Sequence, residues 1–563
     1  MAAMPLTARL PRPSRPARPT VAVHTVAARA ATAREALADT MRGRLVGDSI
    51  GQPMLGWLGP LLAALVGGVL RFWDLGYPHK LVFDETYYVK QGWSMIQYGV
   101  ELKNTDKYGE LIDKAFTEGT LDVFNTEVGD LVVHGPVGKW IIGAGQGLFG
   151  ADSSIGWRLS VCVIGVLSIV MIGRVARRLF RSSVLGTIAA ILLTIEGHHF
   201  VHSRTGLLDI VVMFFALAAF AALLVDRDRT RERLAVRAAA QIPLSPTGHP
   251  LPHTSTWRGP SMGWRPWRWL AGINLGLAAG TKWSGLYFLV VFGLLTVLWD
   301  IGARRTIGVH RWISTGLWRD GIPAFVAMVP TAVVTYVASW TGWFRSDTGY
   351  NRSWALTHPA DPRWTWVPDA VRSWWNYHAQ ILDFHRGLST PHAYQSSPWS
   401  WMVMGRPTSF FAEYPKLGQD GCDIDMCARI ITPIGTVTIW WLATASLAVL
   451  AFRWALRRDW RAGAILAGYA GGFFPWFLLG DRTIYQFYAV AFVPYVVLGV
   501  TYVLGMILGP PGVSAQRRQV GVTIVGCYLI VSALVFAWFL PIYTAQLIPY
   551  QQWWIHMWFP SWV

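Results

Sequence analysis

Three observations predict an all-α polytopic membrane protein. Of 563 residues, 53% are hydrophobic, 14% aromatic and only 14% charged, where soluble domains carry roughly 25% charged residues. The mean hydropathy is +0.34, and the apolar residues gather in stretches long enough to cross a hydrocarbon core of about 30 Å as helix. The net charge of +17 sits in the intervals between those stretches rather than evenly along the chain. These values exclude a disordered chain, a coiled coil and, with four Cys, a disulfide scaffold.

Eleven spans are expected, at 53–71, 154–173, 183–201, 207–225, 267–282, 283–301, 320–340, 432–452, 462–480, 484–507 and 520–541. An odd number places the termini on opposite sides. With the N-terminus inside, the segments 1–52, 174–182, 226–268, 302–319, 453–461 and 506–519 are cytoplasmic and hold 30 of the 49 Lys and Arg. Basic residues in short loops mark the cytoplasmic face, so the N-terminus is expected inside and the C-terminus outside. This partition explains the positive charge without a nucleic-acid partner. All eight Lys fall on the outer side or at its membrane boundary.

Residues 1–52 read as a disordered Pro/Arg tail leading into a short amphipathic helix, without the apolar core of a cleavable signal peptide. The remainder, 53–541, forms one transmembrane domain. Within it, 226–266 reads as a cytoplasmic surface linker without chemistry. Two outer segments, 72–153 and 341–431, exceed the length of simple connectors and are rich in aromatics. They are expected to contain interfacial helices and to carry the active surface. The aromatic tail 542–563 is expected outside, resting at the interface where Trp prefers to sit. No convincing repeat is present, which weakens a transporter built from duplicated halves.

Candidate chemistry gathers at the outer face. Asp84 and Glu85, in FDETYYVKQGWSMIQYG, suit a general base, and equally suit a helix start with Asp84 as N-cap and Glu85 at the positive dipole end. Sequence neighbours do not share a helix face, so one of the two is expected to reach a substrate. His134 and Lys139 flank a turn in VHGPVGKW; Lys139 either snorkels or grips a phosphate. Glu196, His198, His199, His202, Arg204 and Asp209 crowd EGHHFVHSRTGLLD. His198 and His202 have an i,i+4 spacing that zinc would accept, but no H-E-x-x-H pattern is present and no metal is assigned. Asp209, inside an apolar span, is either functional or the ion-pair partner of Arg204. Lys282 joins two spans with hardly any loop, beside Gly276, Ala279, Gly280 and Gly285, small residues that permit close helix packing. Arg482 stands at the outer mouth of the tenth span. Carboxylates with several cations at a lipid surface suit transfer from an anionic, lipid-linked donor: the cations stabilise a departing phosphate and a carboxylate accepts the acceptor's proton.

The motifs FDETYY, VHGPVGKW, HSRTGLLD, GLAAGTKWSGLY and DRTIYQFYAVAFVPY, in this order, resemble those of the protein O-mannosyltransferases. These are polytopic GT-C glycosyltransferases that use dolichyl- or polyprenyl-phosphate-mannose. The run WNYHAQILDFHRGLSTPHAYQSSPWSWMVMGRPTSFF and GCDIDMCARIITPIG are similar to the bacterial members. The resemblance implies a GT-C architecture and transfer of mannose from outer-leaflet polyprenyl-phosphate-mannose to Ser or Thr of polypeptides emerging from the Sec translocon, at a bacterial plasma membrane. It implies an inverting reaction, from β-linked donor to α-product, with Asp84 as base and Glu85 as its partner. His134, Lys139, Arg204, Asp209, Lys282 and Arg482 match motif positions and are expected to contact the donor's phosphate and sugar. No cofactor beyond the lipid-linked donor is implied, and a divalent metal is not indicated. Two departures stand out. About 90 residues in 341–431 are too few for the β-trefoil domain of fungal and animal relatives. Gly135 stands where Pro is expected and is read as a looser turn. Cys422 and Cys427 lie close enough in one outward segment to bridge. Another GT-C transferase, using a different lipid-linked sugar, and a flippase are the competing readings; the 373–411 run separates the first, and apolar mid-membrane spans argue against the second.

Overall fold

The computed structural model describes residues 20–47, 54–105, 112–245, 247 and 249–563. Helices occupy all eleven expected stretches. Seven are long and apolar enough to cross a membrane: Ser154–Phe180, Asp209–Gln241, Gly285–Thr306, Trp312–Ser339, Val437–Arg457, Gln486–Leu508 and Ala515–Tyr543. Two shorter apolar helices, Gly56–Phe72 and Ser183–Thr194, accompany them. The other two, Pro266–Thr281 and Trp460–Gly472, have 16 and 13 residues. The chain is therefore a multi-pass membrane protein, and among the described residues seven of the eleven expected stretches meet the length criterion.

Burial divides the helices by role. Asp209–Gln241 and Gln486–Leu508 bury 72% and 78% of their most apolar windows and form the centre of the bundle. Trp312–Ser339 and Ala515–Tyr543 bury 22% each, turning Phe325, Val333, Val334, Ile530 and Leu534 outward. Lipid accepts such surface at no cost. Close helix approach then requires small residues. Along Pro266–Thr281, a Cβ added at Gly272 would lie 2.9 Å from the Ala327 and Met328 carbonyl oxygens, and one at Gly276 would lie 2.6 Å from that of Ala332. This stripe seats Trp312–Ser339 and fixes where Lys282, the next residue, emerges.

The segment 226–266, expected as a linker, instead continues the Asp209–Gln241 helix through residue 241. Its end packs on the Thr20–Leu45 helix, with Leu45, Leu234, Ala235, Ala238 and Met262 in one apolar cluster. The Thr20–Leu45 helix is longer than the short one expected, and the expected disorder of the tail lies outside the described residues over 1–19 and 48–53. Several arginines read only as topology signals are buried ion-pair partners. Arg265 and Arg268 each contact both Asp226 and Asp300. Arg304 meets Asp320 at 2.8 Å.

The long segments fold onto one end of the bundle. In 72–153, helices Glu85–Tyr98 and Val137–Phe149 cross where Gly92 meets Gly143, and a Cβ at Gly143 would lie 2.6 Å from the Gly92 oxygen. Strands Leu102–Asn104 and Phe124–Gly129 pair antiparallel beside them. In 341–431, helix Asp369–Gly387 leads to strands Phe411–Glu413 and Cys427–Ile431, and Ile548–Pro549 of the tail completes an antiparallel sheet. Cys422 and Cys427 are joined by a disulfide. The tail is anchored by Trp562 Nε1, which donates to the Met404 oxygen at 2.6 Å. Trp554, Ile555 and Trp558 remain exposed on it.

Candidate active site

The acidic pair divides by face. Glu85 is fully buried and all its capacity is used: it accepts from Val82 N (3.0 Å), Gly206 N (2.7 Å) and Arg158 Nε and Nη2 (2.9 and 3.0 Å). Arg158 also donates to the carbonyls of Leu75, Pro78 and Lys80. The pair thus pins residues 75–85 to the start of the Ser154–Phe180 helix. Asp84 occupies the N-cap position but makes no side-chain cap bond, which overturns the capping reading of its carboxylate. The preceding residue, Phe83, adopts φ 51°, a left-handed conformation that costs a non-glycine residue about 1–3 kcal/mol. Its ring stacks on Phe410 at 4.5 Å and meets Phe487 edge-on at 5.1 Å. These contacts hold the turn that frees the half-buried Asp84 carboxylate from its own helix. The Tyr88 hydroxyl donates to Asp84 Oδ2 at 3.4 Å. Burial pushes Asp84 up to about 6, with Lys282 and the Tyr88 bond opposing and Asp209 reinforcing the shift.

Two of those neighbours, Lys282 and Asp209, line a cavity of about 350 Å³, which Asp84 and Tyr88 do not themselves line. Its charged wall consists of Lys282, Arg386, Arg482, Asp209 and Asp481, with His134 and His385 beside them and Trp283, Tyr287, Trp476 and Tyr488 as its aromatic part. Asp209 opens the central helix, where a carboxylate complements the dipole. Lys282 Nζ donates to its Oδ2 at 2.8 Å and lies 5.4 Å from the Tyr488 ring centroid. The partner of Asp209 is therefore Lys282, and the alternative pairing with Arg204 is corrected. His134 stacks on His385 at 5.2 Å. Burial, then the charges of Lys282, His385, Lys139 and Arg482, hold the His134 imidazole well below its usual range.

Two expected donor contacts are spent elsewhere. Lys139 is fully buried; its ammonium donates to Glu101 Oε1 at 2.5 Å and to the His134 oxygen at 2.8 Å. Burial lowers its pKa and Glu101 opposes the shift. It neither snorkels nor lines the cavity, but shapes the turn carrying His134. Arg204 donates to the carbonyls of Arg71, Trp73 and Asp74 at 2.7, 2.6 and 3.0 Å. A guanidinium satisfying the orphan carbonyls at a helix C-terminus is a structural cap. His198 turns its two ring nitrogens to the Pro433 and Phe487 oxygens, at 2.8 and 3.2 Å. Among the described residues, no group of three or more His, Cys, Asp or Glu could hold a metal ion. Gly135 is not a loosened turn: a Cβ there would lie 2.1 Å from the Gly280 oxygen, so the backbones touch.

His385, Arg386, Asp481, Tyr88 and Arg158 were not singled out from the sequence. Arg158 carried a usable signal, a charge inside an apolar span. His385 and Arg386 lay within the quoted FHRGL run, where nothing in spacing links them to residue 482.

The family described as dolichyl-phosphate-mannose–protein mannosyltransferase matches residues 61–245 and 254–339, and the C-terminal four-span region of protein-O-mannosyltransferase matches 370–562. The chain belongs to this family. It is 37% identical over 521 residues to the polyprenol-phosphate-mannose–protein mannosyltransferase of Mycobacterium tuberculosis, covering 90% of this chain and 92% of that one. Identity to the same-named protein of Corynebacterium glutamicum is 33% over 495 residues, covering 85% and 88%. The S. cerevisiae protein O-mannosyltransferase Pmt1-Pmt2 complex bound to the sugar donor superposes with a TM-score of 0.64 at 14% identity, covering 94% of each chain. The fold is thus the GT-C architecture expected, and four of the five ordered motifs line one cavity through His134, Asp209, Lys282 and Arg482, while FDETYY contributes none of its lining.

Proposed function

We propose that this chain transfers mannose from polyprenyl-phosphate-mannose to Ser or Thr hydroxyls of secreted polypeptides at the outer face of a bacterial plasma membrane. Its family membership supports the donor and the reaction class, and the distribution of basic residues supports an inside N-terminus. Polypeptides leaving the Sec translocon are the acceptors available at that face. The observation that carries the mechanism is the freed Asp84 carboxylate, held within electrostatic reach of Lys282 and Asp209, two residues that line the cavity together with Arg386 and Arg482.

Asp84 takes the proton of the acceptor hydroxyl, and the oxygen attacks C1 of the mannosyl group. The bond from C1 to the phosphate oxygen breaks, and its electron pair leaves on the polyprenyl phosphate. Lys282, Arg386 and Arg482 stabilise that charge. Attack opposite the leaving group turns a β-linked donor into an α-mannoside. Glu85 does not meet the substrate; with Arg158 it holds the loop that presents Asp84. Membranes containing the protein, labelled polyprenyl-phosphate-mannose and a Thr-rich peptide test this reading. Asp84→Asn is expected to lower transfer by about 10²–10⁴-fold. Unlabelled peptide with the wild-type protein overturns the reaction; full transfer by the variant overturns the base.

A further inference from the structure

The second long segment reaches the cavity through Leu382, His385 and Arg386, and of these His385 is bonded through both ring nitrogens. His385, near the end of helix Asp369–Gly387, directs Nε2 to the Val133 oxygen at 2.9 Å and Nδ1 to Arg482 Nη2 at 3.3 Å. A carbonyl can only accept, so Nε2 carries the proton. Nδ1 is then a lone pair that accepts from the guanidinium. The imidazole is neutral in this arrangement, in keeping with a pKa lowered to about 4 by burial and by Arg482. Its ring is also fixed by stacking on His134 at 5.2 Å.

Among the cations lining the cavity, Lys282 is paired with Asp209, whereas the exposed Arg386 and the half-buried Arg482 have no carboxylate partner among the described residues. Among the described residues, the one side-chain bond of Arg482 is to His385, its Nε is buried without a partner, and no carboxylate pairs with it. A half-buried guanidinium without a counter-ion, lining an open cavity, is prepared for an anion. A guanidinium left to rotate would lose part of that advantage, since binding would then pay for its ordering.

We propose that His385 is a positioning residue, which holds Arg482 over the cavity as a preset contact for the phosphate of the lipid-linked donor. Through Val133, it also ties that contact to the turn bearing His134. The inference rests on the donor reading above. It places specificity for the phosphate in a residue of the second segment, remote in sequence from the acidic pair.

Side-chain shape separates the two bonds of His385. The amide oxygen of Asn stands near the Nδ1 position and can accept from Arg482; the amide nitrogen of Gln stands near the Nε2 position and can donate to Val133. In the wild-type background, His385→Ala and His385→Gln are expected to raise the donor KM about tenfold with a smaller change in kcat, and His385→Asn to stay within about threefold of wild type. On an Arg482→Ala background, His385→Ala should cost nothing more, because the two changes remove one interaction. Inhibition by a C55 polyprenyl phosphate in detergent should weaken in parallel with the KM change. Wild-type-like His385→Gln with impaired His385→Asn, or additive His385 and Arg482 losses, overturns the positioning role. Absence of any mannose transfer by the wild-type protein would instead overturn the donor reading itself.

Discussion

At the scale of the residue, adjacent carboxylates acquire different work from their surroundings. Glu85 accepts from four donors that use all its capacity, whereas Asp84 meets one tyrosine hydroxyl and a field from Lys282 and Asp209. Burial raising Asp84 to about 6 makes it a stronger base than an ordinary aspartate, yet still largely ionised at neutral pH. A base acts when deprotonated, so kcat/KM is expected to be level above about pH 6 and to fall roughly tenfold per unit below it. Tyr88→Phe removes a bond that favours the anion and should move this limb to higher pH. A limb near pH 4 in the wild-type profile, or one unmoved by Tyr88→Phe, contradicts the assignment.

At the scale of the element, the site is set by how closely backbones approach. Gly135 touches Gly280, and Gly92 touches Gly143, so the turn bearing His134, the helix ending at Thr281 and the helix starting at Glu85 share contacts only glycine allows. A methyl group at 135 would sit 2.1 Å from a carbonyl oxygen, with backbone rather than a flexible side chain in its way. Gly135→Ala is expected to destabilise the protein by about 1–3 kcal/mol, seen as a lower midpoint of thermal unfolding in detergent. Because His134 and Lys282 move with those backbones, transfer should fall as well. An unchanged midpoint with full transfer would show that the contact can open without cost. The close packing beside Lys282 was legible in its small residues, whereas Gly135 was misread as a looser turn. A turn sequence reports local geometry, and the reason for this glycine is a helix about 145 residues away.

At the scale of the whole molecule, function and stability occupy the start and the middle of one helix. Asp209 faces the cavity, and Asp226, 17 residues further along Asp209–Gln241, joins the Arg265, Arg268 and Asp300 cluster about 26 Å away. Asp300→Asn leaves Arg265 and Arg268 short of a buried counter-charge, and is expected to cost about 3 kcal/mol of stability. The donor KM should be unchanged in the protein that remains folded. Thermal unfolding alongside donor titration checks both, and a changed KM without a changed midpoint would refute the separation.

The sequence alone determined the membrane class, the GT-C family and the acidic pair, because apolar stretches, basic loops and ordered motifs are properties of one dimension. It could not determine which charges meet. Lys139, Arg204 and Arg482 look alike along the chain, each a cation beside an apolar stretch. Tertiary structure gives the first to Glu101, the second to the carbonyls at 71–74 and leaves the third facing an open cavity with His385 behind it. Those partners lie 38, 130–133 and 97 residues away, and a buried charge takes its role from whatever satisfies it, which spacing along the chain does not encode.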